Sequence, residues 1–462
     1  MSESPQPSMS RHAVVIGASV AGLLAARVLA RHFDVVTVVE RDACDAAVAA
    51  RKGVPQGNHI HLLWSGGMRI IEGLFPGIAD DLVAAGGAVF DNGRDMRWYH
   101  HGVWKLRHAS GLKIHAQSRP LLEHCLRRRL LETPNVRLLS GHMLQGLLGE
   151  RGGGRVTGVT LKRLGADTAE INLDAELVVD ASGRSGATLG PLERLGYAKP
   201  EEESIGVDIG YATRVFRQPQ DGRDWKAMAV YTTAPRTHRL GVVFPIEGDR
   251  WIVTLVGLRG HYPRTSDEAA FLEFAASLEQ PELFDAIRHA EPDGPVHLIR
   301  YANQMRRRFE RLSAFPAGLA YLGDSLCSLN PLYGQGMTLC ALEADILDHC
   351  LERNRGRAPD TALARDYFRR ASRVVDTAWL LGSGSDFLYP ETTGPRPPLT
   401  PLIGWYITRL LRLSASSEVV QTRFLQVIHF VRPVWSLLLP DVLLRVLGST
   451  VLPSRAAANP PR

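Results

Sequence analysis

The sequence predicts an α/β fold: a doubly wound, Rossmann-like parallel sheet, interleaved with an antiparallel β layer and followed by a helical C-terminal region. Three observations carry this. Residues 13–40 read AVVIGASVAGLLAARVLARHFDVVTVVE: a strand, a tight turn of small residues, an apolar helix, a second strand and a terminal Glu. Residues 204–258 alternate with period two, as in GVVFPIEGDRWIVTLVG. A Gly-rich turn at 334–336 opens a helix through Leu351, and greasy, helix-like segments follow.

The first element is the βαβ unit. Gly17 supplies the tight turn, Ser19 stands where a second Gly would let backbone approach a pyrophosphate, and Gly22 lets the helix pack on the strand. Amides at the helix start, around Ala21, face phosphates with the helix dipole behind them. Glu40, followed by Arg41, ends the second strand 18 residues after Gly22, close to the interval at which a carboxylate accepts from ribose hydroxyls. Gly-x-x-x-x-Gly turns also occur in α/β proteins that bind no nucleotide. The Glu at this position favours binding, and it suits an unphosphorylated ribose.

A loop, RKGVPQGNHIH from Arg51 to His61, precedes a helical stretch to about Phe75. Arg51 either meets a pyrophosphate or an incoming nicotinamide nucleotide, or is a solvated loop cation. His59 and His61 share a strand face without a third ligand at metal-site spacing, so no metal is expected. QSRPLLEHCLRRRLL over 117–131 starts a helix at Pro120, with Arg119 just before it. Leu177-Val178-Val179-Asp180 is a buried strand finishing in a carboxylate, and the Ala-Ser-Gly that follows, ending at Gly183, is a turn of the kind that faces a ligand crevice.

The antiparallel layer, with a hairpin turn at Glu247-Gly248-Asp249, reads as a separate substrate layer. Trp98, Tyr99, Trp104, Phe244 and Trp251 either line its apolar pocket or form its core. The strand at Leu319–Leu322 then runs into Gly323-Asp324, and Asn330-Pro331-Leu332-Tyr333-Gly334-Gln335-Gly336-Met337 makes a second anion-ready helix start. The expected divisions are a disordered leader over 1–11 and a nucleotide-binding domain over 12–200 with a substrate-side insertion near 92–115. An antiparallel domain over 201–300, the rest of the nucleotide-binding domain over 301–352 and a helical region over 353–462 complete the chain.

Composition narrows the function classes. The chain of 462 residues exceeds a single compact core, and 45% hydrophobic with 22% charged residues is ordinary for a globular protein. The net charge of +6 is scattered apart from short runs such as Arg127-Arg128-Arg129 and Arg306-Arg307-Arg308, which excludes a nucleic-acid surface. Five cysteines without a Cys-x-x-Cys pair point to reduced thiols and a cytoplasmic setting. The N-terminus carries no signal-peptide pattern. Ile428–Leu447 is greasy but broken by His429, Arg432, Pro433, Pro440 and Asp441, which leaves packed helices or, at most, peripheral membrane contact.

GASVAG with Glu40, the VVDASG turn and GDSLCSLNPLYGQGM together resemble the FAD-dependent monooxygenases related to p-hydroxybenzoate hydroxylase. The resemblance implies FAD as cofactor, with Glu40 on its adenosine ribose and Arg119 supporting the flavin side chain. It places Asp324, after Gly323, on the ribityl chain, and Asp180 as the acidic residue of the middle motif. Pro331, Gly334, Gln335, Gly336 and Met337 lie at the pyrimidine edge of the flavin, and no protein acid or base is implied. The middle motif departs from the usual Asp-Gly: Asp180 is followed by Ala181, Ser182 and Gly183. The reductant is therefore NAD(P)H acting directly or through a separate flavin reductase.

Within that superfamily, RKGVPQGNHIHLLWSGGMRIIEGLFPG and PIEGDRWIVTLVG are most similar to the flavin epoxidases of polyether antibiotic pathways, of the lasalocid and monensin type. The implied reaction inserts one atom of molecular oxygen, through a flavin C4a-hydroperoxide, into a hydrophobic natural product such as a polyketide, by epoxidation or hydroxylation. The alternatives are a geranylgeranyl-reductase-like double-bond reductase, a halogenase, for which the chain lacks a Trp-x-Trp-x-Ile-Pro stretch, and a flavin-binding protein without turnover.

Overall fold

A computed structural model describes residues 10–44, 48–165 and 169–449. At its centre five parallel strands lie in the order Leu319–Tyr321, Leu177–Asp180, His12–Ile16, Val35–Glu40 and Val136–Ser140. The inner three are apolar runs buried on both faces, as a parallel sheet covered by helices requires. Register explains how distant motifs meet: Ile16 stands opposite both Val39 and Asp180, and Asp180 opposite Tyr321. The strands therefore end level, and the Gly17 turn, Glu40, the Asp180 turn and Gly323-Asp324 share one carboxyl edge, where open α/β sheets bind ligands. The helix Val20–Leu29 is buried nearly all round, enclosed by this sheet, the helix Arg119–Leu131 and the helix Gly336–Arg353.

The second layer is an eight-stranded sheet, in the order Cys327–Ser328, His297–Arg307, Glu202–Arg217, Arg250–Leu258, Arg239–Ile246, Ala227–Val230, Met96–His100 and Val103–Trp104. Gly248 and Asp249 turn the central hairpin with φ of 75° and 49°, the left-handed values such a turn needs. Alternation divides the strand Arg250–Leu258 between two faces of the sheet. Trp251, Val253 and Leu255 pack with Phe271 and Phe274 of the helix Glu268–Ala276, whereas Ile252, Val256 and Leu258 face the other way.

One boundary differs from the sequence reading. The strand His297–Arg307 crosses residue 300, because it pairs along Glu202–Arg217 and then with Cys327–Ser328. The antiparallel sheet thus extends past the expected boundary at 300/301. Strands 96–104 from the expected insertion close its far edge. The leader through Met9 and the tail from Thr450 lie outside the described residues.

The helices Thr361–Asp386, Thr400–Leu413, Glu418–Ile428 and Pro440–Gly448 form the C-terminal region, with Asp360 and Ser417 capping two of them by accepting from Leu363 and Val420 amides. No helix among the described residues is long and apolar enough to cross a membrane. The five cysteines are free thiols.

Candidate cofactor and substrate site

A cavity of about 670 Å³ opens along the carboxyl edge of the parallel sheet. Its wall brings together Gly17, Ser19, Ala21, Glu40, Arg41, Arg119, Gly183 and Asp324 with Pro331, Gly334, Gly336 and Met337. Gly22, Arg51, Asp180, Gly323 and Gln335, also singled out in the sequence, stand off that wall.

The absences have physical reasons. A Cβ on Gly22 would lie 1.8 Å from the Gly17 carbonyl oxygen, so Gly22 sets helix-to-turn packing and not ligand contact. Gly17 has φ 104°, and a Cβ there would meet the Ala181 oxygen at 2.5 Å. This turn keeps the Val20–Leu29 helix start against the cavity, and the first intrahelical bond runs from Leu23 N–H to the Ser19 carbonyl. The amides of Val20, Ala21 and Gly22 precede that bond and have no carbonyl within the helix. Ser19 occupies the place of a glycine by turning its hydroxyl away, where it donates to Glu123 Oε1 at 2.6 Å.

Beneath the turn lies an ion network that the sequence reading missed. The Glu123 carboxylate, 4% exposed, accepts from Ser19, from Arg119 Nε at 2.8 Å and from Arg51 Nη2 at 2.8 Å. Burial works to raise its pKa, but the Arg119 and Arg51 guanidiniums and the Ser19 hydrogen bond outweigh burial and bring it to about 2. Arg51 also pairs with Glu40 Oε2 at 2.9 Å and donates to the Ala18 carbonyl at 3.0 Å. Its guanidinium thus braces the turn from behind the cavity wall, where the sequence left it between a phosphate or nicotinamide contact and a solvated loop cation. Glu40 in turn accepts from the Ala18 amide at 2.8 Å while lining the cavity. The one sequence signal for Glu123 was its place four residues after Arg119 on the same helix face.

Asp180 is likewise placed behind the wall. Its two oxygens accept from the amides and hydroxyls of Ser182 and Thr188, at 2.6–2.9 Å, and from the Ser325 hydroxyl at 3.0 Å. That ties the 180–188 turn to the segment after Gly323, so Asp180 shapes the site without facing it. Gly323 gives its amide to the buried Glu343 at 2.6 Å. Asp324 does reach the cavity, where burial raises its pKa against the nearby Arg119 and Arg184 charges and the Ser328 hydroxyl. Arg184, on the same wall, is held by Asn303 through bonds of 2.8 and 2.6 Å. His59 and His61 line the cavity as neutral rings, lowered by burial to about 4 and about 3. His59 pairs with Thr213 Oγ1 at 2.7 Å.

The turn 330–337 closes the site. Asn330 accepts from the Leu332 amide at 3.0 Å, and Gly334 turns the chain with φ 63°. Asp386, from the C-terminal region, holds the turn by accepting from Asn330 Nδ2 and the Tyr333 hydroxyl, both at 2.8 Å. Burial raises the Asp386 carboxyl to about 6. Beyond the turn lies an apolar chamber of about 140 Å³ between the antiparallel sheet and the C-terminal helices. Ile60, Leu62, Tyr211, Pro331 and Gly334 line both spaces, so the cavity and the chamber meet at this turn. Gln335 belongs to the chamber and not to the cavity, its buried Oε1 without a hydrogen-bond partner.

The residues present fit an FAD. Gly336 lines the cavity with nothing beyond its chain neighbours and its own helix within 4 Å of where a Cβ would stand, so the surrounding protein does not require a glycine there. The amides of Gly336, Met337 and Thr338 precede the first helical bond, Leu339 N–H to the Gln335 carbonyl, which leaves donors and a helix dipole for a ring that gains negative charge.

No protein-family model matches the chain. Protein Rv3254 of Mycobacterium tuberculosis is 33% identical over 403 residues, covering 86% of this chain and 83% of that protein. Among solved structures, the flavin-dependent brominase Bmp2 superposes with a TM-score of 0.65 over 95% of this chain and 98% of its own, at 16% identity. The p-nitrophenol 4-monooxygenase PnpA of Pseudomonas putida DLL-E4 superposes with a TM-score of 0.60 over 91% and 98%, at 15% identity. At such identities the likeness is one of fold: the chain has the architecture of flavin-dependent monooxygenases and of a flavin-dependent brominase.

Proposed function

The chain belongs to the same family as protein Rv3254 of Mycobacterium tuberculosis, and we propose that it is an FAD-dependent monooxygenase that inserts one oxygen atom into a hydrophobic small molecule. The observation that carries this reading is the junction of the two spaces. A cavity of about 670 Å³ lined by Glu40, Arg119, Asp324 and two helix starts opens, at Pro331 and Gly334, onto a chamber walled by Trp64, Trp98, Tyr231, Phe244 and Phe424.

FAD bound there supplies the electrons that activate molecular oxygen. The protein's own contribution is positional. Glu40 would accept from the adenosine ribose, the Val20 and Ala21 amides would face the pyrophosphate, and Asp324 with Arg119 would hold the ribityl chain. The amides after Gln335 would stabilise negative charge on the ring, and the apolar chamber would keep water from the reacting edge. Oxygen insertion into an alkene or an electron-rich ring needs no protein nucleophile. The polyether-epoxidase motifs favour epoxidation of a polyketide-like substrate. At about 140 Å³ the chamber has the volume of a cavity that holds one aromatic ring, roughly 150 Å³. Such a substrate would therefore bind one segment at a time.

The test is oxygen uptake by the purified yellow protein, supplied with NADPH or NADH and with or without a flavin reductase, in the presence of candidate alkenes and arenes. Uptake coupled to a product heavier by one oxygen atom supports the reading. Bromide-dependent bromination, or double-bond reduction without oxygen uptake, overturns it. Bleaching of the flavin by NADPH alone identifies direct reduction, and bleaching only with the reductase identifies a two-component system.

A further inference from the structure

The C-terminal helices present an uncovered apolar face. Among the described residues the five most exposed large apolar side chains are Leu444 at 66%, Trp435 at 63%, Leu399 at 62%, Leu402 at 58% and Leu438 at 57%. All lie within residues 399–444, and Trp405 extends the Leu402 row by one turn. Exposed apolar groups concentrated in this way mark an interaction surface. The segments are fixed to one another: the Tyr406 hydroxyl donates to the Leu437 carbonyl, Arg423 pairs with Asp441 at 2.8 Å, and Leu410, Val420, Leu437 and Val442 share one core.

Charge identifies the partner. Residues 396–447 contain six Arg, two acidic residues, Glu418 and Asp441, and no Lys, which is +4 of the whole chain's +6. Arg412, Arg432 and Arg445 are exposed, and the Arg409 guanidinium lies 4.6 Å from the centre of the Trp405 ring. Exposed Trp and Leu bordered by Arg is the composition of a segment lying at a lipid headgroup boundary. A second copy of the chain would bring the same positive face against its like, which disfavours self-association.

We propose that this face docks on the surface of an anionic phospholipid bilayer, lying in the interface without crossing it. The longest helix within residues 399–444, Thr400–Leu413, has 14 residues and spans roughly 21 Å, short of the ~30 Å hydrocarbon core. The inner sides of the same helices, through Ile407, Leu410, Phe424 and Leu437, line the apolar chamber. A substrate dissolved in the bilayer would have only this layer of helices to pass. The docking itself does not depend on the reaction proposed above.

The experiment is flotation of the full-length protein with vesicles of phosphatidylcholine alone or mixed with phosphatidylglycerol. The protein is expected to float with the anionic vesicles at least about tenfold more strongly than with the neutral ones, and to be released by salt. A variant carrying Trp435→Ser, Leu438→Ser and Leu444→Ser should lose at least about tenfold of that binding. These positions are exposed, so its circular dichroism and FAD content should match the parent. No flotation with either vesicle, undiminished flotation of the variant, or a dimer that the variant dissolves without any vesicles would each overturn the proposal.

Discussion

Replacing Glu123 by Gln keeps the side chain's shape and removes its charge from between two guanidiniums. A carboxyl brought from 4.5 to about 2 prefers its ionised form in the folded protein by about 3 kcal/mol. The side chain is only 6% exposed, so solvent screens little of this. In Glu123→Gln, Arg51 and Arg119 keep their geometry but lose that attraction, and Arg51 retains only Glu40 as an ionic partner. Urea unfolding at neutral pH should show a loss of about 3 kcal/mol. The pH dependence gives a second, independent sign. Because the folded pKa is depressed, the stabilisation is present above pH 4.5 and is lost as pH falls from there towards 2. The parent should therefore lose stability over that window more steeply than Glu123→Gln does. A loss below about 1 kcal/mol at neutral pH, or identical acid slopes, would refute the network as the brace of the Gly17 turn.

Asp386 should act in the opposite sense. Its folded pKa of about 6 lies above 3.8, so relative to Asp386→Asn the parent should lose stability, by up to about 3 kcal/mol, as pH rises through that window; parallel pH profiles of urea unfolding would contradict this. Gly336→Ala fills space that no protein atom occupies, at a helix start where Ala is favoured. Calorimetry should show the melting temperature held or raised, while FAD affinity falls at least about tenfold; unchanged affinity would place the flavin elsewhere. Gly17→Ala, by contrast, forces a side chain into the Ala181 carbonyl at φ 104°, and should cost about 2 kcal/mol or more in urea unfolding before any cofactor is added.

The carboxyl-edge elements were legible because each is a local pattern: an apolar strand followed by a small turn and a carboxylate, repeated at Glu40, Asp180 and Asp324. Their convergence follows from parallel strands whose carboxyl ends stand in register. What the sequence concealed are partnerships across long separations. Arg51 looked free in a polar loop, yet Glu40 and Glu123 consume it from 11 and 72 residues away. Asp386 lies 56 residues beyond Asn330, inside a helical tail without a motif, and nothing local marks it as the support of the 330–337 turn. Asp180 shows the converse: the residue type and position were legible, but four donors supplied by its own turn direct it inward. The boundary at 300/301 failed because the polar alternation of the strand His297–Arg307 resembles a surface segment until its pairing with Glu202–Arg217 is seen.

The most direct test of the account is a single turnover under isotopically labelled oxygen. The FAD-loaded protein is reduced anaerobically, then mixed with labelled oxygen gas and an apolar alkene or arene, and the product is weighed by mass spectrometry. The account predicts one labelled oxygen atom in the product for each reduced flavin, with the second atom released as water. A product without the label, formed while the flavin is reoxidised, would contradict it.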